Sequence, residues 1–106
     1  MRTLPLSVVL TAAFAFSAHA ADLEAGRTKA GTVCAVCHGP TGLSMQPNVP
    51  HLAGQPAIYL TEQLQAYRSG KRTHEVMSVI ARPLSDTEIE DVVQWYSSRN
   101  VRVEAD

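Results

Sequence analysis

Residues 34–38 read Cys34-Ala35-Val36-Cys37-His38. Two thiols three positions apart, with an imidazole on the very next residue, suit one chemistry better than any other: thioether attachment of a haem. Each sulfur adds to a vinyl group, the spacing lets one turn of chain reach both vinyls, and the following histidine comes to lie under the iron. Other uses of a cysteine pair fit less well. A thioredoxin-like dithiol wants a βαβ setting, and no stretch of this chain alternates polar and apolar residues while avoiding Gly and Pro. A zinc site wants four donors, and the sequence holds only two cysteines. A disulfide across two intervening residues closes too small a loop to stabilise much by chain entropy. The string therefore predicts one covalent haem c on Cys34 and Cys37, its iron ligated by His38. Since Cys-x-x-Cys-His occurs once, one haem rather than a tandem two-haem arrangement is expected.

Upstream of this string, residues 1–20 read as a secretory signal. Arg2 supplies the positive start, Leu4 to Phe16 form an apolar stretch of 13 residues, and Ala18-His19-Ala20 is a small-x-small cleavage pattern. The stretch is shorter than the ~20 residues of a membrane span. The expectation is cleavage after about Ala20, a periplasmic protein of residues 21–106 forming one domain, and no membrane span in the mature chain. Loss of Arg2 leaves eight basic residues against ten acidic ones, without a basic run, which speaks against nucleic acid as a partner. With one Trp, three Tyr and two Phe in 106 residues, the apolar core is thin. Domains this small often need an added apolar body, and a buried haem is one.

Downstream, the patterns are helical. Ser85 is a good N-cap, and Glu88 completes a capping box. Asp86, Glu88, Glu90 and Asp91 crowd the positive end of the helix dipole, and Ile89, Val92, Val93 and Tyr96 make one apolar stripe. A second helix runs from about Pro56 to Ser69, stopped by Gly70, with Leu60, Leu64 and Tyr67 inward. A third begins near Asp22 and ends close to the cysteines, with Leu23, Ala30 and Val33 inward and Gly26 permitting close approach of another helix. Gly39-Pro40-Thr41-Gly42 and residues 46–50 are turn and loop material. The fold class is all-α: three main helices plus loops wrapped round one haem.

Four side chains compete for the iron's other face. Met45 lies seven residues after His38 behind a turn, and seven residues span at most about 25 Å even when extended, so Met45 reads as a loop residue. Met77 has ample chain to pass round the haem edge. His74, three residues earlier, shares its face on a helical segment, so both can approach the iron, though not together. In the polar string Lys71-Arg72-Thr73-His74-Glu75, His74 reads as a solvated surface residue. His51 packs near the haem without binding it.

Five blocks in order make the chain resemble the class I cytochromes c, specifically single-haem relatives of the bacterial cytochrome c4 group. They are Cys34-Ala35-Val36-Cys37-His38-Gly39, Pro50-His51-Leu52-Ala53-Gly54-Gln55, Tyr59-Leu60-x-x-Gln63-Leu64, Gly70-Lys71-Arg72, and Met77-x-x-Ile80-Ala81-x-x-Leu84-Ser85-Asp86. The resemblance implies that Met77 is the second axial ligand, that the first and last helices cross near one haem edge, and that the Pro50 carbonyl accepts a hydrogen bond from the His38 ring. Tyr59 and Tyr67 are read as core or pocket-wall residues rather than redox relays, with Tyr59 among the residues expected to contact the haem. Trp95-Tyr96 and Pro83 depart from the family pattern, and Pro83 is expected to shorten the Met77 segment.

With both axial positions filled, the iron has no open site, and the expected function is electron carriage rather than enzyme catalysis. The donor would be a dehydrogenase or quinol-oxidising complex and the acceptor an oxidase or reductase. A cytochrome subunit of one exported oxidoreductase is the alternative. A gas-binding or peroxidase-like protein in which Met77 dissociates is a third, disfavoured by the lack of a distal acid–base set. The basic cluster Arg68, Lys71 and Arg72 is read either as a steering or propionate-binding patch or as a solvated helix end.

Overall fold

The computed structural model describes residues 20–105 continuously, with residues 1, 4, 10, 12, 13 and 15 before them. The export signal expected at residues 1–20 therefore lies largely outside the described residues. All regular structure among them is helical. No helix there is long and apolar enough to cross a membrane.

Helix α1 (Leu23–Lys29) starts where the sequence places it. The Asp22 carboxylate accepts the Glu24 and Ala25 amides at 3.0 Å each, satisfying two of the amides left over at a helix start. The chain then passes without a break through a π turn, Ala30–Cys34, into α2 (Ala35–His38). In that turn the Ala35 amide reaches back five residues to the Ala30 carbonyl. The Thr32 hydroxyl donates to the carbonyls of Thr28 (3.1 Å) and Lys29 (3.2 Å) where the helix widens. Gly39 stops the run with a φ of +83°, open only to glycine at low cost. A Cβ there would also collide with the Leu43 carbonyl.

Helix α3 (Ala57–Ser69) begins just after Pro56 and ends at Gly70, which is left-handed at φ 85°, ψ 4°. A short helix α4 (Met77–Ala81) follows. Leu84 donates its amide to the Ala81 carbonyl at 3.1 Å across the turn that holds Pro83. Helix α5 (Asp86–Ser97) opens on the predicted capping box: Ser85 Oγ accepts the Glu88 amide at 3.1 Å, and the Glu88 carboxylate accepts the Ser85 amide at 3.4 Å.

The core gathers on α5. Ile89, Val92, Val93 and Tyr96 are buried against Ala30, Leu60 and Leu84, with Leu52, Leu64 and Trp95 at the edge. Helices α1 and α5 cross at Gly26, over which the Asp91 backbone lies in direct contact. The same crossing is tied by the Asp22 amide, which donates to the buried Asp91 carboxylate at 2.8 Å. One inward residue of the expected set is corrected. Leu23 is 47% exposed, because a crossing built on a glycine brings two backbones too close for a leucine to lie between them.

Glu88 also pairs with Lys29 on the neighbouring helix. The Lys29 ammonium, then the Ser85 amide, hold its carboxyl below the ordinary 4.5. A depressed folded-state value means stability present above the unfolded value and lost as pH falls through the folded one. Glu88→Gln is therefore expected to lower Tm at pH 7 and to converge on the parent as pH drops toward 3. Thermal melts at the two pH values check this, and a gap that stays constant contradicts it.

Candidate functional site

A cavity of about 520 Å³ lies between the helices, within the range of small-molecule and cofactor sites. Cys34, Cys37 and His38 reach it from the wide turn and α2, Val49, Pro50 and Leu52 from the following loop, and Tyr59, Leu60, Leu64 and Tyr67 from α3. His74, Met77 and Ile80 come from the α4 segment, and Val92, Val93 and Tyr96 from α5. All six residues expected to hold the cofactor, Cys34, Cys37, His38, Pro50, Tyr59 and Met77, thus share one wall-lined space. Met45 is outside it and 93% exposed. His51 is not part of the lining either, although its chain neighbours Pro50 and Leu52 are. Its Nδ1 accepts the Ser44 amide at 2.8 Å, and this bond draws the ring onto the loop that Ser44 begins.

The thiols are free and half-buried. Burial pushes the Cys34 thiol up, against the Tyr96 hydroxyl and the Lys29 charge, which pull it down. A thiol held protonated is a poor match for a disulfide-exchange nucleophile, which depends on its thiolate. Burial likewise pushes the Tyr96 phenol up, with Cys34 adding to the effect. The Tyr96 hydroxyl makes no hydrogen bond of normal geometry among the described residues; the Cys34 sulfur is its neighbour. Nor do three or more His, Cys, Asp or Glu gather anywhere among the described residues, as a zinc site would need.

Hydrogen bonds fix the tautomers of the histidines. His38, 7% exposed, has Nδ1 2.8 Å from the Pro50 carbonyl oxygen. A carbonyl only accepts, so Nδ1 carries the proton and Nε2 the lone pair, the arrangement typical of metal-ligating histidines. His74 is the reverse. Its Nδ1 accepts the amides of Val76 at 3.1 Å and Met77 at 3.2 Å, so in the neutral ring Nε2 holds the proton and no lone pair is left over. Of the two histidines on the cavity, only His38 offers a free nitrogen lone pair.

The residues fit a covalently attached haem on these grounds: two thiols at the right spacing, one lone-pair imidazole, one thioether and a largely apolar lining. The basic cluster divides. Arg68 donates to the Leu84 carbonyl at 3.0 Å and to Asp86 at 2.6 Å. Arg72 lies over the Tyr67 ring, 4.7 Å from its centroid, donates to Gln63 at 2.6 Å and lines the cavity. Lys71 is exposed. Sequence reading missed the capping role of His74. The sequence carried no standard signal for it, since helix-start patterns rest on Ser, Thr, Asp or Asn with Glu or Gln three residues on, and a histidine with a serine four residues on is not among them.

Residues 23–99 match the cytochrome c family model. The chain is 40% identical over 104 residues to cytochrome c4 of Pseudomonas aeruginosa, covering 97% of this chain and 51% of that one. It is 42% identical over 83 residues to cytochrome c-554(548) of Halomonas halodenitrificans, covering 76% of this chain and 99% of that one. Among solved structures, reduced recombinant cytochrome c4 from Pseudomonas stutzeri superposes with a TM-score of 0.70 at 39% identity, covering 76% of this chain and 47% of that one. A thiosulfate dehydrogenase from Marichromatium purpuratum gives 0.68 at 32% identity, covering 80% of this chain and 21% of that one. The chain spans about half the length of the cytochrome c4 of Pseudomonas aeruginosa that it matches.

Proposed function

The chain belongs to the cytochrome c family, and from that premise we propose that it carries single electrons in the periplasm on one haem, bound through Cys34 and Cys37 with His38 and Met77 on the iron. Electron transfer is the common work of its relatives; the haem count, ligand pair and compartment are this chain's own assignment. The observation that carries the ligand pair is the opposite tautomers of the two cavity histidines. His38 keeps its lone pair for a metal, whereas His74 has none left, so the thioether of Met77 is the donor available on the other wall.

The group supplies one-electron iron chemistry when bound. The residues do the rest. The Pro50 carbonyl orients the His38 ring and raises its basicity. Met77 offers a soft sulfur, which favours the reduced metal and a comparatively high potential. Leu60, Leu64, Ile80 and Val92 keep water from the site, and Tyr59, 46% exposed on its wall, stands between cavity and solvent.

As a free carrier, the protein would take electrons from a dehydrogenase or quinol-oxidising complex and give them to an oxidase or reductase. A second reading, a cytochrome subunit of one oxidoreductase, is favoured by the likeness to a segment of a thiosulfate dehydrogenase chain. The test is an optical spectrum of the purified protein in both redox states, with pyridine haemochrome analysis and the intact mass. The expected result is one thioether-bound haem per chain and a near-red Met-to-iron band that Met77→Ala abolishes. A colourless protein without added mass overturns the haem reading, and survival of the band in Met77→Ala overturns the ligand assignment. Native gel filtration of extracts separates free carrier from subunit.

A further inference from the structure

We propose that His74 is a positioning residue for Met77, holding the start of α4 so that the thioether stays at the cavity; this rests on the reading of Met77 as an iron ligand. Helix α4 has only five residues, too few to persist by itself. Its far end is anchored in the core, where Ala81 is fully buried and Leu84 nearly so. Its near end follows residues 70–76, which are exposed and are tied to α3 only as far as Arg72, whose amide donates to the Ala66 carbonyl at 3.1 Å and whose guanidinium donates to Gln63 at 2.6 Å. From His74 onward the start of α4 is held by a closed set of bonds around Met77. The His74 ring takes the Val76 and Met77 amides on Nδ1. The His74 amide donates to Ser78 Oγ at 2.9 Å, and the Ser78 amide donates to the His74 carbonyl at 3.0 Å.

This is reciprocal capping, with an imidazole nitrogen in the place usually taken by a hydroxyl or carboxylate oxygen. The Val76 and Met77 amides have no other protein partner among the described residues, and the ring that satisfies them lies on the cavity wall itself. Loss of a side-chain cap typically changes a local equilibrium by about five-fold. The freed equilibrium here is the seating of Met77.

The experiment uses the haem-loaded protein and compares the parent with His74→Ala, His74→Asn and Ser78→Ala. Amide hydrogen exchange of Val76 and Met77 is measured by NMR in the reduced state. The imidazole concentration that displaces the near-red band is measured in the oxidised state. His74→Ala is expected to speed both exchange rates by about five-fold and to lower the imidazole midpoint by a similar factor. His74→Asn, whose side-chain oxygen can take the same amides, restores both. Ser78→Ala, which opens the other half of the clamp on an intact histidine, moves both in the direction of His74→Ala. Unchanged exchange and an unchanged midpoint in His74→Ala overturn the proposal. Faster exchange with an unchanged midpoint overturns it as well, because the cap would then be structural only. A parent protein lacking the near-red band would instead remove the ligand reading, and this inference with it.

Discussion

Made without its haem, through Cys34→Ala with Cys37→Ala or in a host unable to attach the group, the chain is expected to lose its cooperative thermal transition and most of its helical far-UV signal at 25 °C. The reason is the size of the site relative to everything else. Left without its group, a cavity of some 520 Å³ with a largely apolar lining sets water against side chains that would otherwise be buried, and the whole stability of an ordinary domain, about 5–15 kcal/mol, leaves little to offset that. The alternative, collapse of the walls, is blocked by how the walls are made. Helices α2 and α4 have four and five residues and cannot hold together away from their neighbours. Helix α3 buries only Leu60, and Leu64 and Tyr67 face the cavity. Circular dichroism and calorimetry on the haem-free chain read this directly. A sharp melt near that of the haem-loaded protein would mean that the seven-residue core stands alone.

The second large effect sits away from the cavity, at the crossing of α1 and α5. Gly26→Ala is expected to lower Tm by on the order of 15 °C, while Gly31→Ala, five residues along the same helical run, leaves it unchanged or raises it. At Gly26 an added Cβ falls onto the Asp91 carbonyl, with the carbonyl carbon at 2.6 Å and Trp95 Cβ at 3.1 Å. The colliding atoms are backbone, which cannot rotate away, so α1 and α5 must part and strain the Asp22–Asp91 bond. Overpacking of this kind costs about 1–3 kcal/mol or more, and each kcal/mol moves Tm by roughly 4–8 °C in a domain of this size. At Gly31 nothing lies within 4 Å, so only the better helix propensity of alanine remains. Equal melting points for the two variants would show that the crossing is not what sets stability.

Legibility followed the range of the interactions. Ser85 and Glu88 announced α5 because a capping box is local, and the stripe Ile89, Val92, Val93, Tyr96 gave its buried face because a single core lies on one side. Gly70 stopped α3 for an equally local reason. The π turn left no such trace: nothing in Ala30-Gly31-Thr32-Val33-Cys34 alters the apolar period, and the extra residue is visible only in the bond from Ala35 to Ala30. Leu23 was misplaced because periodicity does not know how near the partner helix comes. At the site, the thiols and His38 were readable as a motif. The Pro50 contact came only through resemblance, since a carbonyl 12 residues away has no side-chain signature. His74 was read by its charged neighbours, whereas its ring is turned to the backbone ahead of it.

The π turn also works as a phase adjuster. One surplus residue rotates everything after it by about 100° relative to everything before it. The face of α1 that meets α5 and the face that carries the sulfurs are therefore set independently along one continuous rod. Deleting a single residue there would restore an ordinary helix, and would swing the two cysteine side chains about a quarter-turn away from the cavity while leaving the Gly26 crossing in place.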